Sequence, residues 1–344
     1  MTIREALARV MDGESLTEAE AEVVMDSIMT GNATDAQIAG LLVALRRKGE
    51  TVEEITGFAR AMREKAIRVP TEASTLVDVC GTGGDARGTF NISTTVSFVA
   101  AGAGLAVAKH GNRSVSSRCG SADVLEELGV DLDLSPEDVG RCIDEVGIGF
   151  LYAPRLHPAM KHAIGPRREM GIRTVFNVLG PLTNPASAQI QLLGVYDRAL
   201  TEPLAQVLRS LGCRSAFVVH GGGGMDEFST LGENHVARLA DGRIESFALD
   251  PESLGFSPAS LSDLQGGTAE ENARILIDLL DGLQGPMRDV VLLNAACVLV
   301  AAGRASDIPG GIAVAAESVD SGAARGRLDG LIAITQRLGA SHDS

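Results

Sequence analysis

Between Asp78 and Ser121 the chain opens DVCGTGGDARGTFNISTT and closes KHGNRSVSSRCGS. This stretch constrains the fold more than any other. Leu76, Val77, Val79 and Cys80 read as a buried strand end, and Gly81, Gly83, Gly84 and Gly88 then crowd a loop that must bring backbone close to something. Asn91, Ser93, Thr94 and Thr95 stand where an apolar run begins, the place of a helix cap. Free N–H groups at such a helix start favour an anion. A second apolar run, Leu105 to Ala108, leads into Lys109-His110-Gly111-Asn112-Arg113. A strand, glycine loop, helix and strand therefore deliver two polar loops to one sheet edge, where ligands of parallel sheets bind. The reading is a phosphate site.

At 344 residues and 45% apolar content the chain is globular, with room for two domains. No run of eighteen apolar residues offers a membrane span, and the N-terminal MTIREALARVMDGESLTEAE lacks a signal pattern. Five scattered cysteines (Cys80, Cys119, Cys142, Cys213, Cys297) without C-x-x-C spacing suit reduced thiols, hence a cytoplasmic protein without a zinc knuckle. The net charge of −15 opposes nucleic-acid binding, and the lack of Trp with only two Tyr opposes base stacking. A small phosphorylated ligand needs only local cations.

Residues 1 to about 70 read as successive helices. Capping boxes recur at Thr2–Glu5, Thr17–Glu20, Thr34–Gln37 and Thr51–Glu54, each before apolar residues at helical spacing. Packing or self-association is all this segment suggests. From residue 76, strands and helices alternate, the mark of an α/β domain with a mainly parallel sheet. Strands are expected at Gly149 to Tyr152, Gln191 to Tyr196 and Ala216 to His220, and helices at Ser121 to Leu128, Val139 to Val146, Met160 to Met170 and Leu200 to Leu211. Pro181 and Pro185 exclude a continuous helix there. Residues 245 to 265 are weakly patterned and add nothing; Asn272 to Leu283, Val290 to Ala302 and Gly311 to Leu338 read as helices.

The motifs divide between sharp and bland readings. Gly81-Thr82-Gly83-Gly84-Asp85-Ala86 fits a relaxed dinucleotide fingerprint, but the next strand ends in cations rather than the acid a ribose requires. A P-loop fits worse, since Gly88 precedes Thr89 rather than Lys. A glycine-rich turn without a ligand is the bland alternative. Lys109, Arg113 and Arg118 among Ser114, Ser116, Ser117 and Ser121 suit a multi-phosphate group, or else form a solvated basic loop. His220-Gly221-Gly222-Gly223-Gly224-Met225-Asp226-Glu227 leads four glycines into two carboxylates; Mg²⁺ beside a phosphate site is one reading and a capping Asp226 the other. His157 and Arg167 carry no assignment from spacing alone. A structural histidine and a surface ion pair with Glu169 explain them equally.

DVCGTGGD, NIST (Asn91 to Thr94), KHGNRSVSS, GSAD (Gly120 to Asp123), HPAM (His157 to Met160), NVLGPLTNP (Asn177 to Pro185) and GGMDE (Gly223 to Glu227), in this order after a helical N-terminus, resemble the anthranilate phosphoribosyltransferases of tryptophan biosynthesis. The resemblance implies transfer of the phosphoribosyl group of phosphoribosyl pyrophosphate (PRPP) to the amine of anthranilate, with release of pyrophosphate. It implies the nucleoside phosphorylase/phosphoribosyltransferase type of fold. A small helical domain (1–70, returning at about 166–186) joins an α/β PRPP-binding domain (71–344), dimerised through the helical part. Gly81, Gly84, Asp85, Thr89, Asn91, Ile92, Ser93, Thr94, Lys109, His110, Gly111, Asn112, Arg113, Ser114, Val115, Ser116, Ser117 and Ser121 would bind PRPP. Asn112 and Arg167 would position anthranilate, with Gly81, His110 and His157 lining its approach. Ser93, Asp226 and Glu227 would hold a pair of Mg²⁺ ions. No general base is implied. A pyrimidine nucleoside phosphorylase and a non-catalytic nucleic-acid-binding relative are the alternatives; the first lacks its KxSTGGxGD-type loop here, and the acidic charge opposes the second.

Overall fold

The structure, a computed structural model, describes residues 1–114 and 118–340. The N-terminal helices are α1 (Ile3–Met11), α2 (Glu18–Met29), α3 (Asp35–Lys48) and α4 (Val52–Lys65), and all four expected capping boxes form. The α/β part follows with β1 (Val77–Gly81), α5 (Ile92–Gly102), β2 (Val107–Gly111), α6 (Ser121–Glu127), α7 (Pro136–Val146), β3 (Ile148–Tyr152), α8 (Ala153–Leu156) and α9 (Lys161–Met170). The two prolines limit the next segment to a four-residue α10 (Phe176–Leu179) and a 3₁₀ turn, Gly180–Leu182. Then come β4 (Ile190–Gly194), α11 (Thr201–Ser210), β5 (Ser215–His220), β6 (Asn234–Ala240) and β7 (Arg243–Leu249). Four helices close the chain: α12 (Ala269–Leu280), α13 (Pro286–Ala301), α14 (Ile308–Asp320) and α15 (Ala323–Ala340).

The strands form one sheet in the order β3-β2-β1-β4-β5-β6-β7. The first five are mutually parallel, and β6 and β7 are added antiparallel. From β1 the chain moves outward through β2 and β3, then returns to build β4 on the other side. The strand order thus reverses between β1 and β4, and a crevice opens at their carboxyl ends.

Because side chains alternate across a strand, each face serves a different core. Val77, Val79, Ile190 and Leu192 face α5 and α12 to α15. Cys80 and Leu193 point the other way, into a core continuous with that of α1 to α4 and α11. The latter core also takes in Ala163, Val175, Phe176 and Leu182, and α9 packs on α2 and α3. Among the described residues no helix is long and apolar enough to cross a membrane, and the five cysteines are buried and outside any disulfide.

Four expectations need correction. Lys109, His110 and Gly111 lie within β2 rather than in the loop after it. The helix read over Gly311 to Leu338 is two helices, broken at Gly322, whose φ is +77°. The antiparallel pair β6–β7 was not expected; β7 alternates only between half-buried and exposed positions, so its apolar signal is weak. Residues 245 to 265 do contribute: Phe90 N donates to Leu264 O (3.1 Å), and Thr89 bridges to Gln265, bracing the glycine loop from outside.

Candidate active site

The loop after β1 and the start of α5 meet the Asp226–Glu227 corner. Register pairs Gly81 of β1 with Gly194 of β4. A Cβ on Gly81 would strike Asp226 Oδ2, and one on Gly194 would overlap the Asp226 carbonyl. Two bare strand ends side by side are what admits that corner. Asp226 Oδ2 accepts from Gly83 N at 2.7 Å, and Glu227 Oε1 accepts from Ser93 N at 3.0 Å, within the first turn of α5. The N–H groups expected to face an anion thus already hold two carboxylates.

Asn91 does occupy the N-cap position of α5, but its side chain makes no cap bond. Its Oδ1 instead accepts from Asn272 Nδ2 at 2.9 Å. Ile92 and Thr94 are buried beneath it, and the Thr94 hydroxyl has no partner. Asp85 folds back on the loop, accepting from Arg87 N (3.1 Å) and, at 3.5 Å, from Asp226 N.

Asp85, Asp226 and Glu227 therefore cluster. Burial, then the charge of Asp85, raises the Asp226 carboxyl; burial, then Asp226 and Asp85, raises that of Glu227. Neither forms an ion pair among the described residues. A divalent cation would relieve this repulsion, so the donor set fits one. Among the described residues, however, no group of three or more His, Cys, Asp or Glu side chains is arranged to hold a metal alone. Two carboxylates plus ligand oxygens is the arrangement Mg²⁺ ordinarily takes. The corner is pinned from behind: Asn294 of α13 accepts from Phe228 N (3.0 Å) and donates to Phe228 O (2.8 Å).

The second loop is less uniform than its sequence. Lys109 is 3% exposed; its Nζ donates to Val79 O at 2.7 Å, and burial lowers its pKa. His110 N donates to buried Asp78 Oδ1 at 3.1 Å. Asn112 is exposed beyond the strand end. Arg113 is already neutralised, since Glu126 takes Nη1 and Nη2 at 2.7 and 2.8 Å and Asp123 takes Nη1 at 3.1 Å. For Arg113 the basic-loop reading describes the geometry better than a free phosphate ligand. Asp123 also accepts from Ser114 N and Gly120 N, drawing the loop closed before Ser121 opens α6. Val115, Ser116 and Ser117 lie outside the described residues.

His110 and His157 come together with ring centroids 5.1 Å apart. Burial pushes His157 down to about 4, and burial with His157 nearby pushes His110 well below the usual range. Each Nε2 is buried without a partner. Arg167 is half-buried, stacked 5.0 Å over the Phe176 ring, with no ion pair among the described residues. The surface pairing with Glu169 does not form. A guanidinium so placed has the planar donors to take a carboxylate by two parallel hydrogen bonds.

Sequence reasoning missed the supports: Asp78, Gly194, Asn272, Asn294 and two arginines, Arg87 and Arg173, that rest on the glycine loops. Only Gly194 offered a signal, a glycine ending an apolar strand. Its meaning depends on pairing with Gly81, which no local pattern reveals.

Comparison with known proteins bears on the family and the fold. The helical bundle domain of a glycosyl transferase family matches residues 4–66, and the a/b domain of that family matches residues 73–325. Anthranilate phosphoribosyltransferases of Desulforudis audaxviator and Symbiobacterium thermophilum are 57% and 58% identical, over 97% of this chain and 97% and 98% of theirs. The crystal structure of the Thermus thermophilus enzyme superposes with a TM-score of 0.92 at 47% identity, covering 96% of this chain and 99% of that one. The Saccharomyces cerevisiae enzyme in complex with PRPP and Mg gives 0.89 at 29% identity, covering 98% of each. These relatives are phosphoribosyltransferases, which sets aside the nucleoside phosphorylase alternative. The chain belongs to the anthranilate phosphoribosyltransferase family.

Proposed function

We propose that the crevice between β1 and β4 is where this enzyme transfers the phosphoribosyl group of PRPP to anthranilate, with the site residues acting as the family resemblance assigned them, except Arg113, whose guanidinium is held by Glu126 and Asp123. The observation that carries the reading is the pair of backbone contacts from Gly83 and Ser93 to Asp226 and Glu227. They bring an anion-binding loop, a helix N-terminus and two carboxylates without an ion pair to one point. Mg²⁺ bound by Asp226, Glu227 and Ser93 would supply positive charge to the leaving pyrophosphate. Gly81, Gly84, Asp85, Thr89 and the start of α5 hold the pyrophosphate end through backbone and hydroxyl groups. Lys109, buried below, adds charge from the strand.

In the reaction the bond from ribose C1 to the pyrophosphate oxygen breaks, the amine nitrogen bonds to C1, and the amine proton leaves to solvent. The products are N-(5-phosphoribosyl)anthranilate and pyrophosphate. An aromatic amine is neutral at pH 7 and needs orientation rather than a strong base. Arg167 would take the anthranilate carboxylate by two parallel hydrogen bonds, with Asn112 across from it and His110 and His157 along the approach. Both histidines are held neutral by burial, so they accept hydrogen bonds without repelling Arg167.

The domain reading follows the same lines: a helical domain of residues 1–70 that takes back residues 166–186, and an α/β domain over the rest of 71–344. Its support is the shared core of α1 to α4 with Val175 and Phe176. A homodimer through the helical domain is supported by Met11 and Val43, 68% and 47% exposed on α1 and α3. Light scattering on purified protein tests it; a monomer at micromolar concentration overturns it. Five buried cysteines outside any disulfide among the described residues support a cytoplasmic location. Loss of anthranilate fluorescence on mixing protein, PRPP and Mg²⁺ tests the activity itself; folded protein that leaves the signal constant refutes it.

A further inference from the structure

Arg173 belongs to neither substrate set, yet it lies against the centre of the site. It sits between α9 and α10, on chain that packs with the helical bundle: α9 lies on α2 and α3, and Val175 and Phe176 enter the core of that face. From there its guanidinium crosses to the α/β side. Nη2, Cζ and Nε lie 3.1, 3.3 and 3.3 Å from where a Cβ of Gly84 would stand, so the group lies face-on against the glycine. On the other side Cζ is 4.4 Å from the centroid of the Tyr196 ring. Tyr196 follows β4 and is tied to the same loop, its N–H donating to Thr82 Oγ1 at 3.1 Å.

The guanidinium is thus layered between the glycine turn and an aromatic ring, with both walls belonging to the α/β part. In a chain with 45 acidic residues, exposed Arg173 makes no ion pair among the described residues. Its interactions are with a ring face and a bare Cα, which only a planar cation makes well. Gly84 has φ +78°, so a side chain there would be strained and would also displace the guanidinium.

We propose that Arg173 is a positioning residue for the phosphorylated substrate. It clamps the Gly83–Gly84 turn from the helical side, holds the turn's backbone in the shape that receives the pyrophosphate, and couples the helical lobe to occupancy of the loop. This rests on the loop being the PRPP site.

The test compares wild type with Arg173→Ala, Arg173→Lys, Gly84→Ala and the Arg173→Ala/Gly84→Ala double variant. It uses calorimetric PRPP binding with Mg²⁺, steady-state kinetics and hydrogen exchange. Arg173→Ala is expected to weaken PRPP binding and raise its KM about fivefold, the scale of a lost cation–π contact, with kcat and the anthranilate KM within about twofold. Arg173→Lys keeps the charge but not the plane and is expected not to rescue. The double variant should bind no worse than Gly84→Ala, because both changes remove one contact. PRPP should protect backbone amides 171–175 in wild type and not in Arg173→Ala. Wild-type PRPP affinity in Arg173→Ala, full rescue by Lys, or additive losses overturn the proposal. A wild type that binds no PRPP refutes the site reading instead.

Discussion

Asp226 is 9% exposed and Glu227 half-buried, and both side chains sit in a carboxylate cluster without an ion pair among the described residues. Their like charges and burial oppose ionisation, so they stabilise the fold little; in the proposed function they receive Mg²⁺ with its ligand. Asp226→Asn with Glu227→Gln is therefore expected to leave the melting temperature nearly unchanged, because the amide oxygens still accept from Gly83 N and Ser93 N. Mg²⁺-dependent turnover of PRPP should fall at least about a hundredfold, the scale of losing transition-state charge stabilisation. Melting curves and turnover measured on one preparation check this; a large melting loss would mean the pair is a structural cap. Arg167 makes the opposite case, a cation without an anion. Arg167→Ala should raise the KM for anthranilate about tenfold or more, from loss of a charge-assisted pair, while the PRPP KM moves less. Initial rates with each substrate varied in turn decide it. Asp226 and Glu227 were legible as candidates because the short motif GGMDE carries them, whereas Arg167, outside every motif, entered only through the family resemblance. Asn294, Asn272 and Arg173 were not legible, because their side chains act on loops 66, 181 and 89 positions away in sequence.

Among the elements, the N-terminal helices were the most readable, since a capping box is a contact between residues three apart. The boxes nevertheless differ in what they support. Glu5 serves only its own exposed helix start. Glu54 is fully buried: beyond Thr51 N it accepts from Leu16 N at 2.9 Å and Lys48 Nζ at 2.9 Å, tying the α1–α2 and α3–α4 connections together. Glu54→Ala leaves a buried N–H without its acceptor and a nearly buried ammonium without its counter-charge, and should cost about 3 kcal/mol of unfolding free energy. Glu5→Ala should leave the urea midpoint almost unmoved, and paired urea titrations measure both. The same helices reach the α/β part. Arg60 and Arg63 of α4 donate to Ser210 O and Leu211 O, satisfying carbonyls at the end of α11. Neither arginine could be paired with that helix end from sequence, because the partner is backbone.

Across the whole molecule, His110 from β2 and His157 from the end of α8 meet where the sheet edge faces the Gly180–Leu182 turn. The native protein keeps both rings neutral well below pH 6.5, whereas the unfolded chain protonates them near that value. Unfolded protein then binds more protons, so this contribution to stability is complete above about pH 6.5 and is lost as pH falls towards the His157 value of about 4. The buried carboxylates titrate with the opposite sign, so the comparison must be made between variants. His157→Gln should lose about 2 kcal/mol less than wild type between pH 7 and pH 5, which denaturant titrations at the two pH values measure.

The sequence by itself determined what depends on neighbours along the chain. The capped helices, the parallel α/β alternation, the glycine loop before a helix start and the acidic corner after β5 all follow from spacing of a few residues. Tertiary structure decided which N–H groups the carboxylates take, that Gly81 and Gly194 form one notch, that Arg113 is spent on Glu126, and that Arg173 reaches Gly84. It also decided how residues 245 to 265 brace the first loop. Each depends on strand order and on backbone partners far apart in the chain, and closing those distances is the work of the whole core rather than of any local pattern. Asp78 to Ser121 therefore announces the loops and helix start of the proposed site, while the contacts that shape it are supplied by β4, β5, α13 and the segment after α9.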